Sequence, residues 1–112
     1  MAFNSVYEMV NGVAKITLTG ELDAAAAPAF RTDVEKAAAA KVKSVALVMK
    51  DLEYMASAGL RALVFAKQKM GSSVEIFMIG LQEPVMETIT MTGFQNSVTF
   101  LDEYDAEKIE NR

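Results

Sequence analysis

The apolar positions of this chain fall into short blocks whose spacing changes from one block to the next. Residues 6–10 and 13–18 are rich in β-formers and lie on either side of Asn11-Gly12. That dipeptide favours the left-handed conformation needed twice in a type I′ turn, so the chain is expected to open with an antiparallel hairpin. After Gly20-Glu21-Leu22-Asp23 and a short alanine tract, Pro28 suits a first helical turn. Phe30, Val34, Ala37, Ala38 and Lys41 then recur at helical spacing, which predicts a helix over about 28–40. Residues 45–49 form a continuous apolar run too brief for a helix and read as a buried strand. A second helix carries Leu60, Leu63, Val64 and Phe65 and ends near Met70-Gly71. Residues 74–79 repeat the buried-strand pattern. Pro84 opens a third helix with Val85, Met86 and Ile89, Gly93 ends it, and 98–101 supply a last short strand. The acidic tail, 102–112, is a short helix or frays. Strands alternating with helices imply an α/β fold with right-handed crossovers and a mixed, mostly parallel sheet.

Composition narrows the chemistry sharply. The 112 residues, 52% of them hydrophobic, suffice for one domain spanning 1–112 with a single core. The chain has no cysteine and no histidine. Disulfides, thiolate nucleophiles, imidazole bases and almost every zinc or transition-metal site are thereby excluded, leaving carboxylates and oxygen ligands. A formal net charge of −4 without a basic cluster argues against direct nucleic-acid binding. No segment reads as a signal peptide or spanning helix, so a cytoplasmic protein without membrane insertion is expected, and no cofactor or metal is.

Several side chains carry more than one reading. Ser57, at the entry to the second helix, suits an N-cap or an accessible hydroxyl open to modification. Asp23 suits a turn that bonds its own backbone. Asp51 and Glu53 would make a carboxylate pair only if other ligands joined them; a solvated strand end is the simpler account. The eight methionines, Met49, Met55, Met78, Met86 and Met91 among them, suit irregular core gaps. Because Leu60, Leu63, Val64 and Phe65 spread around more than one helix face, one or two are expected to stay exposed.

The string Tyr54-Met55-Ala56-Ser57-Ala58-Gly59-Leu60, with Gly20-Glu21-Leu22-Asp23 before it and Met91-Thr92-Gly93-Phe94 after it, resembles the STAS-domain anti-sigma factor antagonists of bacteria. The resemblance covers nearly the whole chain. It implies a single STAS-like domain that is not an enzyme, with phosphorylation at Ser57 and partner contacts at Asp23, Met55, Ala56, Ala58, Gly59, Leu60 and Arg61. The unphosphorylated antagonist would bind an anti-sigma factor that is also a serine kinase, phosphorylation would release it, and a serine phosphatase would reset the cycle. Small Ala58 and Gly59 would leave room for another protein's active site. The acidic residue that usually precedes the phosphorylated serine is Ala56 here, which removes a contact for the kinase; Arg61 could offset this by lying near the phosphate.

Two other functions fit the residues. A phosphorylation-independent STAS scaffold, or an accessory subunit of a signalling or transport complex, keeps the fold and changes the role. A hydrolase with Ser57 as nucleophile would need a base, and in a histidine-free chain Lys50 is the nearby choice. The sequence leaves oligomeric state open, although an uncovered first strand would offer a pairing edge.

Overall fold

A computed structural model of the chain describes residues 2–111. The opening hairpin joins β1 (Asn4–Val10) to β2 (Val13–Leu22) in antiparallel register from Val10↔Val13 to Asn4↔Thr19. Asn11 and Gly12 have φ of 49° and 81°, the two positive values a type I′ turn requires. The remaining elements are α1 (Ala27–Ala39), β3 (Ser44–Met55), α2 (Ser57–Met70), β4 (Glu75–Ile79), α3 (Glu83–Met91), a 3₁₀ turn (Phe94–Ser97), β5 (Thr99–Leu101) and α4 (Ala106–Glu110). The mixed α/β sheet read from the sequence is the observed one.

Sheet order is β1-β2-β3-β4-β5, with β2 to β5 parallel. Each parallel neighbour is reached through one helix, and steps of one hand in one direction put all three helices on the same face. Against that face Ile16 and Leu18 of β2, Leu47 and Met49 of β3, and Ile76 and Met78 of β4 pack with Phe30, Leu63, Val85 and Ile89 of the helices. Ser5 donates a hydrogen bond to the Asp33 carboxylate and Lys36 lies 4.4 Å over the Tyr7 ring, so the edge strand β1 is tied to α1.

The other face is covered locally. Val13, Ala46, Phe77 and Ile79 form a second apolar cluster, and Ile109 of α4 seals it. The tail is thus a docked helix. Asp105 caps it by accepting the Lys108 amide at 3.2 Å. Burial on both sides explains why the middle strands read as unbroken apolar runs.

Two boundaries differ from the sequence reading. Lys41 does not continue α1: it follows the Ala40 cap with φ 55°, and the chain turns there to bury Val42. More consequential, β3 does not stop at Met49 but runs on to Met55. Its pairing with β2 slips between Thr17 and Thr19 and again between Gly20 and Glu21, and at each slip β3 carries one residue more than its partner. Buried positions there become Met49, Leu52 and Met55, a spacing of three that no longer looks like a strand. Asp51 and Glu53 therefore stand exposed within β3 rather than at its end. Among the described residues no helix is long and apolar enough to cross a membrane.

Candidate functional site

The site is built where β2 and β3 finish together. Their last paired residues are Leu22 and Met55, and the Ala56 amide gives the Leu22 carbonyl one more hydrogen bond at 2.8 Å. The chains then part. On the β2 side the Asp23 carbonyl accepts the amides of Ala26 and Ala27, and its carboxylate accepts the Ala26 amide at 2.9 Å, forming the turn into α1. On the β3 side Ala56 is extended (φ −79°, ψ 161°), and its carbonyl accepts the amides of Gly59 and Leu60. Ala56, not Ser57, is thus the N-cap. A methyl group accepts no hydrogen bond, so the helix starts without a side-chain cap.

Ser57 is the first residue of α2 and is exposed. Its Oγ lies 3.5 Å from Nη1 of Arg61 one turn later, at the outer limit of a hydrogen bond. Of the other residues singled out in the sequence, Asp23 and Arg61 are exposed and Ala56 and Ala58 half-buried. Met55 and Leu60 point inward, at 1% and 3% exposure, so their side chains support the surface from beneath. Gly59 is buried too. A Cβ there would lie 2.8 Å from both Cγ and Cδ2 of Leu22. The room beside Gly59 is therefore filled by the chain's own β2, and what an approaching protein meets is Ala58 and Ser57.

Two grooves flank this turn. One, of ≈ 580 Å³, runs between α2 and residues 92–97, lined by Ser57, Leu60, Arg61, Phe65 and Phe94 among others. The second, of ≈ 570 Å³, lies between α2 and the start of α1, where Ala24, Pro28 and Arg31 face Ala58, Arg61 and Phe65. Arg61 and Phe65 belong to both, so positions 57, 61 and 65 form a ridge along α2. Of the apolar residues on this helix, Leu60 and Leu63 are core, Val64 is half-buried and Phe65 is 39% exposed. Arg31 stacks over the Phe65 ring at 4.7 Å and Lys69 approaches it at 5.6 Å. Arg31 escaped the sequence reading because no spacing links a residue of α1 to one of α2. Phe65 was legible as one of the four apolar residues whose spread around α2 leaves one or two exposed. Met91 at the end of α3 is 85% exposed and lines neither groove.

The bulged half of β3 is braced from α3. Thr88 Oγ1 donates to the Met55 carbonyl at 3.0 Å, and Gln82 Nε2 donates to that of Lys50 at 2.7 Å. Side chains thus satisfy carbonyls in the segment that delivers Ser57. The Lys50 ammonium pairs with the Glu103 carboxylate. Four residues of β3 separate Lys50 from Met55, and the Lys50 ammonium is paired with Glu103, so the base a Ser57 nucleophile would need is held elsewhere.

Comparison with models of protein families matches residues 4–106 to the STAS domain. The chain belongs to the STAS domain family. No curated protein matches it in sequence. Among solved structures, an anti-sigma factor antagonist from Mycobacterium paratuberculosis superimposes with a TM-score of 0.84 at 20% identity, over 93% of this chain and 89% of that one. A putative anti-sigma factor antagonist from Thermotoga maritima gives 0.75 at 22% identity, over 88% and 86%. The unphosphorylated anti-sigma factor antagonist SpoIIAA gives 0.71 at 22% identity, over 96% and 94%. These likenesses carry the fold. In this STAS domain the chemistry at the turn is a hydroxyl, a guanidinium and an aromatic ring. Among the described residues no group of three or more acidic side chains is placed to hold a metal ion.

Proposed function

We propose that this STAS domain is an anti-sigma factor antagonist that acts by binding and is switched by phosphorylation of Ser57. The observation that carries the reading is the uncapped, exposed hydroxyl of Ser57 at the head of a ridge with a groove on either side. A kinase can reach such a hydroxyl without unfolding anything. The similar SpoIIAA has been solved in both a phosphorylated and an unphosphorylated form, which supports the same cycle here. The unphosphorylated chain would seat an anti-sigma factor with serine kinase activity across α2. Ser57, Arg61, Ala58 and Phe65 would make contact, while Met55, Gly59 and Leu60 hold the turn in shape. Asp23 would shape the neighbouring turn.

Phosphate adds about 1.5–2 negative charges next to the positive end of α2, worth only about 0.3–1 kcal/mol at an exposed position. The domain therefore keeps its fold. At an interface the same charge, buried without a matched cation, costs several kcal/mol, and each ~1.4 kcal/mol is a factor of ten in affinity. A serine phosphatase would reset the cycle, in the cytoplasm, without direct contact with nucleic acid.

The test is peptide mass spectrometry of the protein isolated from its own cells beside a Ser57→Ala variant, with identification of co-purifying proteins. The expected result is phosphate at Ser57, absent from the variant, and an ATP-binding anti-sigma factor retained by the variant. Ala56, which lacks the family's carboxylate, favours a second reading as a phosphorylation-independent scaffold or accessory subunit. Absence of phosphate under all growth conditions would select that reading over the switch.

A further inference from the structure

The two arginines beside the turn are not equivalent. Arg31 is engaged twice, with Glu35 at 3.4 Å and over the face of Phe65. Arg61 is in no ion pair among the described residues, and its Nη1 points at Ser57 Oγ from 3.5 Å, too far for a strong bond. A phosphate on Oγ would carry three acceptor oxygens two bonds further out, into the gap that the hydroxyl does not close. Positions i and i+4 of a helix hold their side chains as neighbours, so no backbone movement is needed. The Asp23 carboxylate accepts the Ala26 amide and forms no ion pair with Arg61 among the described residues. Position 56 offers no carboxylate.

We propose that Arg61 receives the phosphate of phosphorylated Ser57 within the same chain, closing a two-point guanidinium–phosphate contact. The inference rests on the reading of Ser57 as phosphoacceptor and assigns the cation that answers it. Planar guanidinium groups bind phosphate oxygens in pairs, and such charge-assisted bonds are short and strong. Because Arg61 lines both grooves, its capture changes the charge on both sides of α2 in one event. A partner carboxylate that met Arg61 in the unphosphorylated chain would then lose its cation as well as meet the phosphate.

The experiment places phosphoserine at position 57 during translation and follows the second ionisation of the phosphate by phosphorus NMR. Three full-length proteins are compared: the otherwise unchanged chain, Arg61→Gln and Arg31→Gln. A guanidinium held against the phosphate favours the dianion, so the unchanged chain should ionise about half a pH unit or more below Arg61→Gln. Arg31→Gln should titrate like the unchanged chain. Equal curves for all three, or equal shifts in both variants as a general positive field would give, would overturn the assignment. Since the phosphate is installed directly, this outcome is independent of whether cells phosphorylate Ser57. Missing phosphate in cells would remove the switch and leave the Arg61 contact standing; matching titrations would do the reverse.

Discussion

At the N-terminal ends of β2 and β3 the surface polar side chains close on one another, whereas beyond the C-terminal ends those of Ser57 and Arg61 are left open with one long contact. In the closed end Asn11 donates to Glu110 Oε1 at 2.7 Å, Tyr104 donates to Oε2 at 2.5 Å, and the Lys43 ammonium donates to the Glu110 carbonyl. Ile109 beside them is fully buried. In the open end a helix begins without a side-chain cap, a serine hydroxyl has one long contact, and an aromatic ring stays partly exposed. The two ends share the same strands and are both backed by buried apolar side chains, so their difference is one of what the surface spends its polar groups on. Groups already paired within the chain have little to offer a partner. Ligand sites of α/β sheets lie beyond the carboxyl ends of the strands, and the open end of this molecule is that end.

Removing the support under the open end should have the largest effect. Leu22 is fully buried and its branch fills the space that Gly59 leaves. Leu22→Ala is expected to lower the unfolding free energy by about 2–5 kcal/mol in urea titrations. Gly59→Ala attacks the same contact from the other side and should cost about 1–3 kcal/mol by overpacking. The pair should be less than additive, because Leu22→Ala removes the atoms that a new Cβ would strike. Strict additivity would mean that Leu22 and Gly59 do not share this space, and that Gly59 serves an approaching partner after all.

The closed end should respond to pH, and only locally. Hydrogen bonds from Tyr104 and then Asn11 hold the Glu110 carboxyl below its ordinary 4.5. A carboxyl lowered on folding contributes stability above the unfolded value and loses it as pH falls through the folded one. Burial, reinforced by the hydrogen bond to Glu110, raises Tyr104 above its ordinary 10.0. Its contribution is complete below that value and is lost as pH rises through the raised one. The Ile109 methyl resonance should therefore stay constant between these limits and drift toward that of a detached α4 outside both. Glu110→Gln should remove the acid drift and Tyr104→Phe the alkaline one. A drift that persists in both variants would show that other groups hold the helix.

Sequence legibility cut across that division. The hairpin was readable from Asn11-Gly12 and the middle strands from their apolar runs, because local conformation and burial agree there. The second half of β3 was not, since two bulges turn a period of two into the three-residue spacing of Met49, Leu52 and Met55. Ser57 and Arg61 were legible because they lie in one short string. The docking of α4 was hidden: Ile109 is a single apolar residue in an acidic tail, and its partners on β2, β3 and β4 are far away in sequence. Pairings such as Arg31 with Phe65 arise only after crossovers bring two helices together.

The smallest effects should come from the helix start itself, and they separate its two residues. Were Ser57 the N-cap, its replacement by alanine would cost about 1 kcal/mol. It is the first helical residue instead, and alanine is at least as good a helix former there, so Ser57→Ala should change stability by less than about 0.5 kcal/mol. Ala56→Asp should do the opposite: a carboxylate at the cap position can accept an amide of the first turn, and the helix should gain about 0.5–2 kcal/mol. This substitution restores the acidic residue that the family usually carries before its serine. Denaturation curves in which Ser57→Ala is the costly change and Ala56→Asp the neutral one would return the cap to Ser57. The expected pattern would mean that this chain forgoes stability at position 56 and keeps the open end free of a fixed negative charge beside the serine.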